Sequence, residues 1–275
     1  MKQRIAIQGI RGSNHHQVAR EYFGDDTDLV ESMSFDFLVD RLLDKTADIG
    51  IMAIENSIAG SIIPNYALVY HNDLHIIGEH YLNIDHNLMV LKGQKIGDIE
   101  EVRSHPMALL QCKEFFRDYP HIKMVEDVDT AETAKRIQEQ QLKHIAAIAP
   151  EVAANLYDLD IVAERIQTIK NNATRFIIVS TKNKVVPKDE INKASVRFVT
   201  DHKRGSLATI LNVMSDCNLN LTKIQSLPII ETPWKYAFFV DVTFGGSEHF
   251  EKAKALLGIM SEDFKVLGEF KNARL

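Results

Sequence analysis

The sequence predicts an α/β protein: a long region of alternating strands and helices on largely parallel sheets, then a smaller βαββαβ module. Three observations carry this reading. Strand-like and helix-like runs alternate through the first two-thirds of the 275 residues, the order that layered α/β folds produce. Several junctions repeat one grammar, in which an apolar strand runs into small or polar residues and then a helix start. Finally, the charged stretch KNKVVPKDEINKA (182–194), with Pro187 inside it, precedes a new pattern of strand, helix, two strands, helix and strand, which is the ferredoxin-like plan.

The elements follow in order. RIAIQG (4–9) is a short apolar strand, and SNHHQVAREYF reads as a helix with Ser13 at its N-cap. FDFLVDRLLDKT is an amphipathic helix whose apolar face draws on Phe37, Leu38, Val39, Leu42 and Leu43. ADIGIMAIE is a strand, and LHIIGEHYLNIDHNLMVL holds two more. IEEVRSH leads into the helix PMALLQCKEFFRDY, with Pro106 at its first position. KMVEDV with TAETAKRIQEQQ, and HIAAIA with PEVAANLYDL, are further strand–helix pairs, and NNATRFIIVS is a strand with a polar entrance. Beyond the break come SVRFVTD, GSLATILNVMSDC, LNLTKIQSLPII, YAFFVDVTF, EHFEKAKALLGIMSE and FKVLGEF. The expected domains are therefore 1–182, a linker at 183–194, and 195–275.

Composition narrows the function. A net charge of −6 leaves no basic excess to neutralise phosphates, so a general nucleic-acid partner is not expected. No apolar run reaches the length of a membrane span, and the N-terminus lacks the apolar core of a signal peptide, so a cytoplasmic protein without a membrane partner is expected. Cys112 and Cys217 are far apart and form neither a disulfide framework nor a CxxC site. The pairs His15-His16 and His71/His75 fit no metal-ligand spacing, so no metal is expected.

Where apolar strands run into helix starts, unpaired N–H groups can receive an anion. IAIQG-IRGSNHH, EEVRSH-PMALLQ and VEDV-DTAETA are such junctions. Three stretches add reactive side chains. IENS (54–57) places a carboxylate and an amide at a strand end; the alternative is a hydrated strand end with Ser57 starting a helix. SHPMALLQC (104–112) opens with a hydroxyl and an imidazole, and its helix carries Gln111 toward the core; the alternative for Ser104 is an N-cap alone. NNATRF (171–176) sets a hydroxyl beside a guanidinium at the mouth of a strand; the alternative is a polar loop.

Together GIRGSNHHQVA (9–19), MAIENSIAGSI (52–62), SHPMALLQC, DTAETAK (129–135), AAIAPEVAANLYDL (146–159) and NNATRF resemble the prephenate dehydratases. The C-terminal GSLATILNVM and LNLTKIQSLP are similar to the ACT regulatory module that follows the catalytic region in that family. The resemblance implies a two-lobed catalytic region, like a periplasmic binding protein, that converts prephenate to phenylpyruvate, carbon dioxide and water without a cofactor. It assigns catalysis to Thr174, Arg175, Glu55 and Asn56. Substrate contacts fall to Ser57, Ser104, His105, Gln111, Thr130 and Phe176. Arg175 would grip a carboxylate, and the Thr174 hydroxyl would donate to the departing oxygen. No chorismate mutase segment, of the kind fused in bifunctional relatives, is expected before the first strand at about residue 4.

The resemblance further implies L-phenylalanine as effector, bound at Gly205, Ser206, Leu207, Asn220 and Leu221, and homodimers through the ACT modules that build a homotetramer. Two departures stand out. The first loop reads GIRGSNHH where GPxGTFS is common, which leaves Arg11 either near the substrate or in solvent. Gln225-Ser226-Leu227-Pro228 replaces an ESRP pattern and so loses a glutamate and an arginine. Two non-enzymatic readings stay open beside the enzyme, an anion-sensing solute-binding fold and an amino-acid sensor built on the ACT module.

Overall fold

Ile5, Ala6 and Ile7 are all buried in β1 (Arg4–Gln8), as a strand covered on both faces requires. The computed structural model describes residues 2–183, 186–187, 189–201 and 203–274; residues 184, 185 and 188 of the expected linker lie outside the described residues. Helix α1 (Asn14–Phe23) begins at Ser13, whose hydroxyl accepts from the His16 amide at 3.3 Å. Strand β2 (Asp28–Ser32) is not anticipated by the sequence reading: DLVES is short, charged and lies at a sheet edge. In α2 (Phe35–Leu43) only Leu38, Val39 and Leu42 are buried, while Phe37 and Leu43 of the expected apolar face stay exposed. Strand β3 (Ile49–Asn56) pairs parallel with β1, as does β2, so the order is β2-β1-β3.

A two-residue strand β4 (Gly60–Ser61) precedes α3 (Ile63–His71), a helix whose apolar contrast is too weak to mark it in the sequence. The two strands expected next are β5 (His75–Asn83) and β6 (Asn87–Leu91). Then come β7 (Glu101–Ser104) and α4 (Pro106–Cys112), with Pro106 in its first turn. Helix α4 is shorter than expected, because the chain tightens into a 3-10 turn at Phe115–Asp118. Next are β8 (Lys123–Glu126), α5 (Thr130–Glu139), β9 (Ile145–Ala149), α6 (Glu151–Tyr157) and an unanticipated β10 (Leu159–Ala163).

These strands correct one expectation. The order β10-β6-β9-β7-β8 is mixed, not largely parallel: β7 pairs parallel with β8 and β9, but β6 runs against β9 and β10. The connection from β6 to β7 holds only a one-turn 3-10 helix at Ile96–Asp98, short of the roughly dozen residues that a parallel crossover takes.

The chain continues through β11 (Ala173–Ser180), β12 (Lys193–Val199), α7 (Ser206–Asp216), β13 (Asn220–Pro228), β14 (Tyr236–Thr243), α8 (Ser247–Met260) and β15 (Glu262–Phe270). It condenses into two compact units, residues up to 60 with 82–176, and 61–81 with 177 onward. In the first, β11 takes the place beside β3 in the sheet. In the second, β12 to β15 form an antiparallel sheet of order β13-β14-β12-β15 in the expected βαββαβ sequence. Its core gathers Val196, Phe198, Ile210, Met214, Val240 and Phe250 between sheet and helices. Strand β12 starts at Lys193 and so takes in the last two residues of the expected linker.

Candidate active site

The site is assembled where β3 ends and β11 begins. The Ser57 amide donates to the Ala173 carbonyl at 2.8 Å, and the Ala173 amide donates to Ser57 Oγ at 3.0 Å. IENS and NNATRF, far apart in sequence, are thereby sewn together. Ser57 starts no helix; a turn follows, shaped by Asn56, whose Oδ1 accepts from the Ile58 amide at 2.9 Å and the Ala59 amide at 2.8 Å. Such side-chain-to-backbone bonds are what favour asparagine in turns.

Those two amides fix the direction of everything beyond them. Since Asn56 Oδ1 accepts twice, the other end of the carboxamide is its NH2. It donates to Thr174 Oγ1 at 3.0 Å and to Asn172 Oδ1 at 2.7 Å. Asn172 must then present its own NH2, which donates to Gln111 Oε1 at 2.9 Å. The His86 Nε2 approaches the same oxygen at 2.9 Å, and because a carbonyl oxygen only accepts, that nitrogen carries a proton. Thr174 receives a hydrogen bond through its oxygen, which leaves its O–H free to donate.

The other expected residues take several positions. Glu55 is half-buried, and strand alternation puts it on the face of β3 opposite Asn56. Arg175 is 4% exposed and projects from the face of β11 opposite Thr174 and Phe176. Phe176 is buried with its ring 5.0 Å from that of His15, edge to face. Ser104 does not cap α4: it is buried, and its hydroxyl donates to the Ile148 carbonyl at 2.7 Å, tying β7 to β9. The cap is His105, exposed, whose Nδ1 accepts from the Met107 amide at 3.2 Å. Thr130 opens α5 half-buried, but the N-terminus there is already served by Asp129, which accepts from the Ala131 and Glu132 amides. A carboxylate in that place opposes a second anion, which corrects the expectation for the DTAETA junction.

The first loop packs closely on α6 of the same unit. Gly12 has φ +93°, and a Cβ there would fall 3.0 Å from the Tyr157 ring and 3.3 Å from Ala153 Cα. Both the backbone angle and the space therefore call for glycine. The Tyr157 hydroxyl donates to the Arg11 carbonyl. The Arg11 side chain turns outward, 48% exposed with its guanidinium 3.7 Å from Glu31, which is the solvent-facing alternative.

Burial shapes the titrating groups. His15 has its pKa pushed down to about 3 by desolvation, and its Nε2 has no hydrogen-bond partner among the described residues. His86 is also lowered, by burial above all, against the opposing effects of Gln111 and Asp85. Burial pushes the Cys112 thiol up to about 12, so it is a neutral member of an apolar cluster rather than a nucleophile. Among the described residues no three His, Cys, Asp or Glu side chains gather to hold a metal ion, and no helix is long and apolar enough to cross a membrane.

The effector candidates lie in the second unit. Gly205 precedes α7 with φ +85°, and a Cβ on it would meet nothing within 4 Å. Its backbone angle, not crowding within the chain, is what selects glycine there. Ser206 and Leu207 are half-buried in the first turn of α7, while Asn220 and Leu221 open β13 and are exposed.

Sequence reading missed Asn172 and His86 as members of the network. Asn172 stood in the quoted NNATRF without a role, and His86 precedes an apolar strand with no motif around it.

The family model described as prephenate dehydratase matches residues 5–184. The chain is 32% identical over 270 residues to the bifunctional chorismate mutase/prephenate dehydratase of Escherichia coli (strain K12), covering 96% of this chain and 70% of that one. It is 34% identical over 284 residues to arogenate dehydratase 2 of Petunia hybrida, covering 97% and 71%. The solved prephenate dehydratase of Arthrobacter aurescens in complex with L-Phe superposes with a TM-score of 0.88 at 24% identity, over 98% of this chain and 90% of that chain.

Proposed function

The chain belongs to the prephenate dehydratase family, and on that premise we propose that it converts prephenate to phenylpyruvate, carbon dioxide and water in phenylalanine biosynthesis. In that reaction the ring carboxylate leaves as carbon dioxide, and the electrons of its C–C bond move into the ring. The ring C–O bond breaks at the far carbon, and aromatisation drives the step. The protein's task is to hold a dianion and help hydroxide depart, which takes neither redox chemistry nor a cofactor. The observation that carries the reading is the polarity at Thr174. Its O–H is free to donate, and Asn56 already donates to its oxygen at 3.0 Å. That arrangement lets the hydroxyl protonate the leaving group while the developing negative charge on Oγ1 is stabilised in place.

Around this centre Gln111 offers a fixed carboxamide and Ser57 a hydroxyl for a substrate carboxylate. Arg175 could meet the other carboxylate only from the opposite face of β11, and Thr130, beside the Asp129 carboxylate, is not a donor to it. Glu55, Ser104, His105 and Phe176 shape the surroundings. The catalytic region spans 1–182, with 183–194 as linker and 195–275 as an ACT module that pairs with a second copy into homodimers and a homotetramer. L-Phenylalanine binds there at Gly205, Ser206, Leu207, Asn220 and Leu221 as feedback inhibitor, a reading supported by the antiparallel βαββαβ order and by the L-Phe complex of the Arthrobacter aurescens protein. The protein acts in the cytoplasm.

The likeness to an arogenate dehydratase favours one second reading, in which the side-chain ketone of the substrate is replaced by an amine. Purified protein is incubated with prephenate and, separately, with arogenate, following phenylpyruvate by absorbance and phenylalanine by chromatography. Phenylpyruvate formation is the expected result. Turnover of arogenate alone would reassign the substrate, and no turnover of either would remove the dehydratase reading.

A further inference from the structure

We infer that His86 is a positioning residue for this reaction, held as the neutral Nε2–H tautomer and setting the Gln111 carboxamide with its NH2 toward the substrate. The inference rests on the reading of Gln111 as a substrate-facing donor. Its basis is the chain of hydrogen bonds that starts at the Ile58 and Ala59 amides. Backbone amides can only donate, so each later group in the chain has one possible orientation. Gln111 Oε1 closes the chain by accepting from Asn172 Nδ2 and His86 Nε2, both at 2.9 Å. With its oxygen doubly held, the Gln111 amide cannot flip without setting two donors against its NH2. Gln111 Nε2 is thereby turned outward on a half-buried side chain, and no bond to it is formed among the described residues.

His86 is itself clamped. It is 5% exposed. Its amide donates to Gln167 Oε1 at 3.0 Å, and its carbonyl accepts from the Ile166 amide at 2.8 Å. Gln167 is held in turn by Asp85 Oδ1 at 2.8 Å. The imidazole Nδ1 is buried with no hydrogen-bond partner among the described residues. A proton on that nitrogen would find no acceptor, whereas a bare lone pair there is the lesser penalty. A ring needed only for packing is more cheaply supplied by an apolar residue. Keeping an imidazole here, with one nitrogen unsatisfied, makes sense if the other nitrogen's N–H has a task.

The network thus ends in two donors, the Thr174 hydroxyl and the Gln111 carboxamide. Such a pair favours a substrate with hydrogen-bond acceptors at both places and penalises a donor set there. Preorganisation of this kind acts on the transition state, because the donor need not be turned during the reaction.

The test has a kinetic arm and a spectroscopic arm. His86→Phe keeps a planar aromatic ring, somewhat larger than imidazole, and removes the donor; kcat/KM should fall by roughly 10- to 100-fold, the range of coupled neighbouring sites. His86→Gln, which can place an N–H near the Nε2 position, should recover most of that loss. Combining His86→Phe with Gln111→Ala should cost no more than Gln111→Ala alone. In 15N-histidine-labelled wild-type protein, His86 should show a protonated Nε2 and an unprotonated Nδ1, whether or not either substrate is turned over. Full multiplication of the two kinetic losses, a fall in melting temperature with unchanged kcat/KM, or the opposite tautomer would each overturn the inference. Because the tautomer is read without substrate, its outcome is separable from failure of the dehydratase assignment.

Discussion

Thr174 and His15 illustrate two opposite uses of a polar atom in a buried place. Thr174 is 7% exposed, yet its oxygen is bonded and its proton is available. Thr174→Ala should lower kcat by about 10²–10⁴-fold, the span of a lost proton-transfer group, and Thr174→Ser should keep more activity than alanine. Steady-state kinetics decide it, and near-normal turnover in the alanine variant removes Thr174 from the mechanism. His15 is the reverse case, an imidazole kept neutral by desolvation and packed edge-on against Phe35 and Phe176. Its pKa falls from about 6.5 in the unfolded chain to about 3 in the folded one. As pH drops below about 6.5 the unfolded state takes the proton first, so stability is lost progressively down to about pH 3 and is unaffected above 6.5. His15→Leu should therefore show a smaller loss of stability between pH 8 and pH 4.5 in urea titrations than wild type. An equal loss would mean that other groups govern acid sensitivity.

Among the elements, β5 and β12 meet through an ion pair with almost no water. Lys193 Nζ lies 2.8 and 2.9 Å from the Glu79 oxygens, the side chains are 3% and 0% exposed, and the Ala273 amide donates to the same carboxylate at 3.2 Å. Removing one partner of such a pair is far costlier than replacing both, because the remaining charge stays desolvated. Lys193→Met should destabilise the chain by about 3–5 kcal/mol, while Lys193→Met combined with Glu79→Leu should recover most of that loss. Urea unfolding of the full chain measures both; a double variant as weak as the single one would show that the pair contributes more than its charges. At the same scale, β6 and Ser104 show how local reading runs short. IDHNLMVL identifies a strand but not its direction, which is set by the short connection to β7. Ser104 has the right residue type for a cap, but its hydroxyl finds the Ile148 carbonyl on the neighbouring strand instead.

For the whole molecule, the proposed control by phenylalanine demands that the effector bind one global state better than another. Gly205 offers a way to separate backbone from bulk. Its φ of +85° strains a β-branched residue, but asparagine tolerates that region. Gly205→Val should abolish inhibition and leave activity without phenylalanine largely intact, while Gly205→Asn should keep part of the inhibition. Loss in both variants would point to bulk against the effector rather than backbone angle. Calorimetry that detects no phenylalanine binding to the intact protein, up to millimolar concentration, would remove the regulatory role.

The residue types of the candidate site are legible in the sequence: IENS, the glutamine of SHPMALLQC and NNATRF carry Asn56, Gln111 and Thr174. So are the βαββαβ order of the second unit, set by periodicity and turn residues, and most strands of the first. Local pattern determined these because propensity and hydrophobic spacing act over a few residues. Only the tertiary structure decided the direction of β6, the partners of Thr174, and the roles of Asn172 and His86. Those depend on contacts between distant parts of the chain, Asn56 to Thr174 across 118 positions and Asn172 to Gln111 across 61. Hydrogen-bond polarity is a property of the assembled chain of donors and acceptors, and no single residue in it carries that information alone.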